Sequence, residues 1–149
     1  MPGNGSLVPK ANTSDYKSCP QFWHPLESRC FKFVSEPKHW IEAQLNCIRL
    51  EGSLASVHNM NEYRFVQRLT EGSNGVMVEA WLGGTDAILE GTWIWIDSTL
   101  FDFTFWSPGE PNNDGNQNCL QINYGDHKKW DDLNCYKKRP SICVTRVRR

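Results

Sequence analysis

The residues best suited to chemistry lie in one polar segment, which runs from Trp106 to Cys119. The segment is rich in side-chain amides, prolines and glycines and follows neither a helical nor a strand period, so we predict a loop. Within it, Glu110 and Asn112 flank Pro111. Side-chain oxygens on both sides of a fixed turn suit a hard cation such as calcium, which takes about six to eight oxygen ligands in irregular geometry. The sequence therefore predicts a calcium-binding loop.

A second acidic pair follows downstream, in the triplet Trp130-Asp131-Asp132. Cys119 and Cys135 bracket the interval between the loop and this pair. We interpret the interval as closed by a disulfide, which would fold the second set of carboxylates onto the first. The rest of the chain would then serve to hold this loop in place.

The composition favours a single disulfide-bonded domain. The chain has 149 residues, enough for one domain with a hydrophobic core, and six cysteines. An even cysteine count in a small chain favours a disulfide framework and an oxidising compartment, and no C-x-x-C pair points to zinc. The count alone leaves the pairing open. The formal net charge of −1 gives no general attraction to nucleic acid.

The start of the chain differs in composition from the rest. We predict a flexible leader over residues 1–18 and an ordered domain over residues 19–149. The leader has no apolar core of the kind a signal peptide needs, and no stretch of the chain approaches the ~20 apolar residues of a membrane span. Glycosylation sequons at Asn4 and Asn12 favour secretion. We therefore expect a secreted, extracellular protein whose signal peptide has been removed.

A first helix is predicted after Pro37. Apolar residues recur there at helical spacing, at Trp40, Ala43, Cys47 and Leu50. Gly52 stands where a helix C-cap is expected. Because Cys47 lies on the apolar stripe, its disulfide partner should lie on a core strand.

A second helix is predicted after Asn59, which is a plausible N-cap with Glu62 as its capping-box partner. Its inner face would carry Tyr63, Val66 and Leu69.

Short apolar or alternating runs predict the strands, at Phe22–Trp23, Cys30–Val34, Val78–Leu82, Trp93–Ile96, Leu120–Tyr124, from Lys128 onward, and at Ser141–Val144. Between Leu100 and Gly115 the chain is mostly irregular, and a loop of that length in a compact domain is usually functional. Two helices beside several short strands predict an α+β fold.

Taken in order, these motifs resemble the C-type lectin-like domain family over residues 19–149. The resemblance rests on the six-cysteine ladder, Ala80-Trp81-Leu82-Gly83-Gly84, Glu110-Pro111-Asn112, Trp130-Asp131-Asp132 and the closing segment from Cys135 to Cys143. Small secreted fish lectins and calcium-dependent fish antifreeze proteins look most similar. The family fold implies two helices packed on short antiparallel sheets, a long calcium-binding loop and three disulfides. The implied pairs are Cys19–Cys30, Cys47–Cys143 and Cys119–Cys135.

The resemblance also implies a calcium ligand set, namely Glu110, Asn112, Gln117, Asp131 and Asp132. The family's Glu-Pro bond is cis, which would aim Glu110 and Asn112 the same way. Gln117 stands where the family usually has Glu, and Asp131 where it usually has Asn, so the number of carboxylates is unchanged. If the shorter loop shifts the alignment, Asp114 would replace Gln117 as a ligand.

In the family, two adjacent sugar hydroxyls complete the calcium shell, and each hydroxyl meets one acid and one amide. The sugar-binding positions here would be Glu110, Asn112, Gln117 and Asp131. The Glu-Pro-Asn motif resembles the mannose-type pattern, which covers mannose, fucose and N-acetylglucosamine. The exchange of acid and amide at positions 117 and 131 keeps galactose as an alternative. No Trp or Tyr lies between Glu110 and Asn118 to stack on a galactose ring.

A weaker auxiliary calcium site is implied at Asp86, Glu90, Asn113 and Asn118. Only two of these residues are carboxylates, and ordinary surface acids are an equal interpretation.

The sequence favours a lectin over other functions. The four histidines are scattered and no H-E-x-x-H or serine-elbow motif is present, so we expect no enzyme. The alternative is a C-type lectin-like domain that binds ice, as the antifreeze relatives do, or a protein partner. A basic cluster could serve an acidic partner, although a solvated surface is the simpler interpretation; it comprises Lys128, Lys129, Lys137, Lys138, Arg139, Arg146, Arg148 and Arg149. For a lectin we expect glycans on cell or microbial surfaces as partners, a role in innate immunity, and homo-oligomers for avidity.

Overall fold

The computed structural model describes residues 18–147. The predicted leader, apart from Ser18, lies outside the described residues, as do the two sequons and the last two arginines of the basic cluster. The division into a leader and a domain therefore stays a prediction. Within the described residues, neither helix has the length or the apolar character that crossing a bilayer requires.

The α+β class is confirmed. The two helices are α1 (Trp40–Arg49) and α2 (Met60–Leu69), and a 3₁₀ turn covers Gly72–Asn74. Residues 18–147 form eight strands, namely β1 (His24–Leu26), β2 (Arg29–Lys38), β3 (Ser53–Leu54), β4 (Ala80–Thr85), β5 (Ile94–Trp95), β6 (Cys119–Tyr124), β7 (Lys129–Leu133) and β8 (Arg139–Arg146).

All eight strands belong to one continuous sheet with the order β1-β2-β8-β4-β6-β7. Strand β3 also pairs with β8, and β5 with β4. Every pairing is antiparallel except that of β4 with β8. The last strand in the sequence, β8, therefore lies near the centre of the sheet. Strands β6 and β7 form one edge, and β7 carries Asp131 and Asp132.

Helix α1 buries Trp40, Ala43 and Cys47 as its spacing predicts. Leu50 is 37% exposed, however, because the helix ends at Arg49 and Leu50 is the capping residue. The cap is a Schellman motif, in which the N–H of Gly52 donates to Cys47 O and the N–H of Glu51 donates to Ile48 O. The left-handed residue of the cap is Glu51, with φ of 68°, rather than Gly52. Gly52 serves close packing instead, because an added Cβ would lie 2.4 Å from a β8 carbonyl.

Helix α2 begins as predicted. The Asn59 side chain accepts the Glu62 N–H at 2.8 Å. The Glu62 carboxylate reaches back to the N–H of His58 at 2.7 Å, one residue before the expected capping-box position. The inner face buries Tyr63 and Val66 completely and Leu69 in part.

Three strand predictions need correction. Phe22 has a positive φ and is 74% exposed, so the first strand starts two residues later than predicted. Strand β5 keeps only two residues, of which Trp95 is buried and Ile94 is 37% exposed. Strand β6 is buried on both faces rather than on one, because Gln121 and Asn123 lie inside and make hydrogen bonds there.

The long loop between β5 and β6 has two halves. The aromatic half, residues 101–106, packs its rings around Trp130, with ring centroids at 6.1 Å for Phe101, 5.8 Å for Phe103 and 5.5 Å for Trp106. Two backbone hydrogen bonds then join the loop to β7, from Trp130 N to Phe105 O and from Ser107 N to Trp130 O. The polar half, residues 107–118, starts from this fixed point.

Three disulfides fasten the fold, and they join the same pairs that the resemblance implies. Cys19–Cys30 closes the first hairpin, Cys47–Cys143 joins α1 to the central strand β8, and Cys119–Cys135 lies beyond the end of the polar half. The expectation that Cys47 meets a core strand agrees with this arrangement. No cysteine among the described residues is left free.

Candidate metal centre

Three carboxylates meet where the polar half of the loop crosses β7. Oxygens of Glu110, Asp131 and Asp132 all lie within 4.8 Å of one another. Asp132 is fully buried and Asp131 is 5% exposed. In the described part of the chain, this carboxylate cluster is the one group of three or more acidic, histidine or cysteine ligands so closely spaced.

The backbone of the loop delivers Glu110 to this cluster. The Glu110–Pro111 peptide is cis, as the resemblance implies. The Asn112 amide donates to Glu110 Oε2 at 3.3 Å, so the two side chains that flank the proline are neighbours. They present an acid and an amide side by side, which is the pairing expected from the motif.

Asp132 fixes the loop to the sheet. Its two carboxylate oxygens accept the backbone N–H groups of Asn112 at 3.2 Å and of Asn113 at 2.7 Å. The Asn112 side chain in turn accepts the N–H of Asp114 at 2.9 Å. The buried aspartate of β7 thus determines the path of the segment that carries the other predicted ligands.

Several side-chain oxygens in the polar half of the loop lack a hydrogen-bond donor. Glu110 Oε1, Asn113 Oδ1 and Gln117 Oε1 are all buried and without a partner. A buried polar atom left unpaired costs about 1–3 kcal/mol, so such atoms call for a partner. None of the ion pairs found among residues 18–147 involves the carboxylate cluster. Unpaired acid and amide oxygens are the donor set that a hard divalent cation takes, and the residues present therefore fit calcium.

Electrostatics point the same way. Burial, followed by the neighbouring carboxylates Asp132 and Asp131, raises the pKa of Glu110 to about 8. Burial, together with the charge of Asp132, also raises the pKa of Asp131. Like charges this close disfavour full ionisation, so without a cation Glu110 favours its protonated form below about pH 8.

Of the five predicted ligands, the structure brings the three carboxylates together, places Asn112 beside Glu110, and leaves the side-chain oxygen of Gln117 buried and unpaired. Asp114, the alternative to Gln117, is exposed and is not part of the cluster.

The predicted auxiliary residues meet only in part. The Asn118 amide nitrogen donates to Asp86 at 2.9 Å and to Glu90 at 3.0 Å, which links the two acids. The backbone N–H of Gly91 also donates to Asp86. The backbone N–H of Asn113, by contrast, donates to Asp132 at the main carboxylate cluster.

Sequence reasoning missed the side chains that support Asp131. Gln121 on β6 donates from Nε2 to Asp131 Oδ2 at 3.0 Å. Arg139 on β8 donates from Nε to Gln121 Oε1 at 3.0 Å, and it pairs with Glu79 at 3.5 Å. The only available signal was a polar residue within an alternating strand.

One histidine lies in a chain of contacts that resembles a catalytic triad. His58 Nε2 is 3.0 Å from Ser56 Oγ, and His58 Nδ1 is 2.7 Å from Asp102, whose pKa this hydrogen bond lowers. Ser56 is fully buried, donates its proton to Asp97 at 2.5 Å and accepts from Arg29 at 2.9 Å. A hydroxyl that is shielded from substrate and already shares its proton is not a nucleophile. The chain of contacts joins the segment between β3 and α2 to the start of the long loop.

Comparison with known proteins identifies the family. The model of the lectin C-type domain matches residues 36–145. The chain belongs to the C-type lectin domain family. This is a family of binding domains, and the fold, the disulfides and the cis bond described above agree with membership.

The relatives include sugar-binding and ice-binding proteins. Ladderlectin of Oncorhynchus mykiss is 40% identical over 83% of this chain, and the match covers 65% of ladderlectin, a little under two thirds. Lactose-binding lectin l-2 of Anguilla japonica is 40% identical over 87% of this chain and 80% of its own length. Among solved structures, herring type II antifreeze protein has a TM-score of 0.82 and 35% identity, over 87% of this chain and all of that one.

Proposed function

We propose that this C-type lectin domain binds carbohydrate in a calcium-dependent manner. The proposal rests on one observation, the carboxylate cluster that joins the loop to β7, together with buried, unpartnered side-chain oxygens in the same loop. Bound calcium would supply a Lewis-acidic centre at which two adjacent sugar hydroxyls can coordinate. The ligands would be Glu110, Asn112, Gln117, Asp131 and Asp132.

The side chains around the ion would also define the sugar. Carboxylates can only accept hydrogen bonds, so Glu110 and Asp131 would accept from sugar hydroxyls. Amides have both an oxygen and an N–H₂ group, so Asn112 and Gln117 would coordinate calcium and donate to the sugar. Each hydroxyl would then meet one acceptor and one donor.

We propose mannose-type recognition, of mannose, fucose or N-acetylglucosamine. The support is the Glu110-Pro111-Asn112 motif and the absence of a stacking Trp or Tyr between residues 110 and 118. Galactose is the second candidate, because position 131 is an acid and because one relative is named for binding lactose.

The direct test is a glycan array probed with and without a calcium chelator. The matched variants are Glu110→Gln, which removes one carboxylate of the cluster, and Asp126→Asn, which removes an exposed carboxylate from the β6–β7 turn. We expect binding to mannose-type glycans that both the chelator and Glu110→Gln abolish and that Asp126→Asn leaves intact. Chelator-sensitive binding to galactosides alone would overturn the mannose assignment. Binding that survives the chelator would overturn the calcium mechanism.

Ice binding is the alternative function that a specific observation favours, namely the likeness to herring type II antifreeze protein. Thermal hysteresis of a dilute sample measures it directly. Hysteresis in a protein that binds no glycan on the array would replace the lectin proposal.

The setting proposed for the lectin is extracellular. Three disulfides among residues 18–147 suit an oxidising compartment. Glycans on cell or microbial surfaces would be the partners, in keeping with a role in innate immunity. A site that holds a single sugar is weak, so homo-oligomers would supply avidity.

A further inference from the structure

The acid at position 131 has a buried neighbour that the family pattern does not explain. Gln121 on β6 is the direct cross-strand partner of Asp131 on β7, so the two side chains share one face of the sheet. Gln121 is 1% exposed, and its amide nitrogen lies 3.0 Å from Asp131 Oδ2. One oxygen of the carboxylate is therefore committed to the sheet, and the other remains for the ion.

The orientation of the Gln121 amide is fixed by chemistry. A guanidinium can only donate, and the Arg139 Nε lies 3.0 Å from Gln121 Oε1. An ionised carboxylate can only accept, so with Asp131 ionised, as a calcium ligand must be, the end of the amide that faces it is the N–H₂ group. Glu79 pairs with the same guanidinium, with 3.5 Å between Arg139 Nη2 and Glu79 Oε1. Donors and acceptors alternate along the whole chain of contacts and leave no second arrangement.

We propose that Gln121, oriented by Arg139, requires an acid at position 131. Gln121 and Arg139 are then positioning residues of the calcium site. This inference rests on the proposed function. With asparagine at position 131, two orientations exist. In one, the amide oxygen accepts from Gln121 and the N–H₂ group faces the ion, which is not a calcium ligand. In the other, two N–H₂ groups face each other across the strands. Both orientations lose a contact that aspartate makes.

The same constraint assigns the donors of the sugar site. Because residue 131 must be an acid, it cannot donate a hydrogen bond to a sugar hydroxyl. Gln117 has an amide where the family usually has an acid, and it would supply the hydrogen-bond donor that an acid at position 131 cannot provide. The exchange of acid and amide between positions 117 and 131 is thus the form of the site that fits the buried glutamine.

The test measures calcium affinity by isothermal titration of the full-length chain in three backgrounds. Asp131→Asn in the wild type should weaken calcium binding about 10- to 100-fold, the usual cost of disturbing a ligand or its support. In the Gln117→Glu background, which returns a carboxylate to the ion, Asp131→Asn should still cost a similar factor. In the Gln121→Glu background it should cost less than about threefold, because the new acid accepts from both Arg139 and the asparagine amide.

These backgrounds separate hydrogen-bond polarity from charge. If charge alone mattered, Gln117→Glu would rescue Asp131→Asn at least as well as Gln121→Glu, and that result would overturn the inference. Gln44→Glu is the matched control, since Gln44 is a similarly buried glutamine on α1 whose oxygen accepts the N–H of Leu54. It should leave calcium affinity unchanged. Thermal melting in chelator confirms that each variant folds.

The failure of this inference differs from the failure of the proposed function. A wild-type chain that binds no calcium would overturn the proposed function and this inference with it. A wild-type chain that binds calcium, and an Asp131→Asn variant that binds it equally well, would overturn only the positioning role of Gln121. Sugar binding, measured on the same variants, should follow the calcium affinity.

Discussion

The carboxylate cluster should make the calcium-free protein less stable as the pH rises toward neutrality, and Glu110→Gln should remove that effect. The pKa of Glu110 is about 8 in the folded state, against a usual value of 4.5. Between these two values the folded protein holds a proton that the unfolded chain has lost. The proton's contribution to stability is complete below the lower value and is lost as the pH rises through the upper one.

The structure sets the size of the effect. One pKa unit corresponds to about 1.4 kcal/mol, so the wild type would lose at most that much per pH unit between the two pKa values. Glu110 is partly exposed, and solvent screening reduces its pKa shift, which narrows the pH range over which this slope applies. We expect the variant to gain roughly 1–2 kcal/mol over the wild type between about pH 5.5 and pH 7.5. That corresponds to roughly 3–8 °C in melting temperature.

Calcium should reverse the order of the two proteins. At a calcium concentration of about 100 times the dissociation constant, the wild type gains about 2.7 kcal/mol, whereas the variant, with a ligand neutralised, gains little. Differential scanning fluorimetry compares the two proteins at two pH values, each in chelator and in calcium. Asp126→Asn is the charge control. If the two melting temperatures in chelator differ by the same amount at both pH values, the shared proton does not exist. A full calcium response from Glu110→Gln would show that Glu110 is not a ligand.

Three further results are expected. Asp132→Ala should lower the free energy of unfolding in chelator by about 2–4 kcal/mol, measured by urea titration. The reason is that the backbone N–H groups of Asn112 and Asn113 lose their charged acceptor. The same variant should not bind calcium. Replacing Cys47 and Cys143 together by alanine should cost about 4–5 kcal/mol in the same titration, since the bond closes a loop of 96 residues; a loss below 1 kcal/mol would contradict this. Calcium affinity should fall by up to about tenfold per pH unit below pH 8, because protons compete for the raised carboxylates; titrations at pH 6 and 7.5 that agree would refute it.

The elements that the sequence predicted well depend on local patterns. The helices follow from apolar spacing and a capping asparagine, and the site loop follows from a motif only three residues long. The predictions were wrong at the end of helix α1, where the apolar pattern continues past the last helical residue. Leu50 continues the apolar period of α1, but the helix has already ended, so its side chain is 37% exposed. Gly52 looked like a cap, yet close packing against β8 is what requires a glycine there.

The parts of the site that sequence reasoning missed depend on strand register. Gln121, Asp131 and Arg139 lie on three different strands, and only the pairing of β6 with β7 and the position of β8 bring them into one chain of hydrogen bonds. In the sequence, Gln121 is simply a polar residue within an alternating strand. His58 is similar, because its partner Asp102 is 44 residues away on an irregular loop. Contacts of this kind are set by tertiary structure rather than by local propensity.

The long loop combines a fixed anchor with an exchangeable segment. Its aromatic half is packed into the core around Trp130. Its polar half is anchored at both ends, by the backbone hydrogen bond of Ser107 to β7 and by the disulfide at Cys119. A graft of residues 107–118 from another member of the family would therefore replace the chemistry without redesigning the interior. Such a chimera must keep the β7 aspartate that holds the loop backbone. The fold can therefore accept different binding segments at this position while its core stays the same.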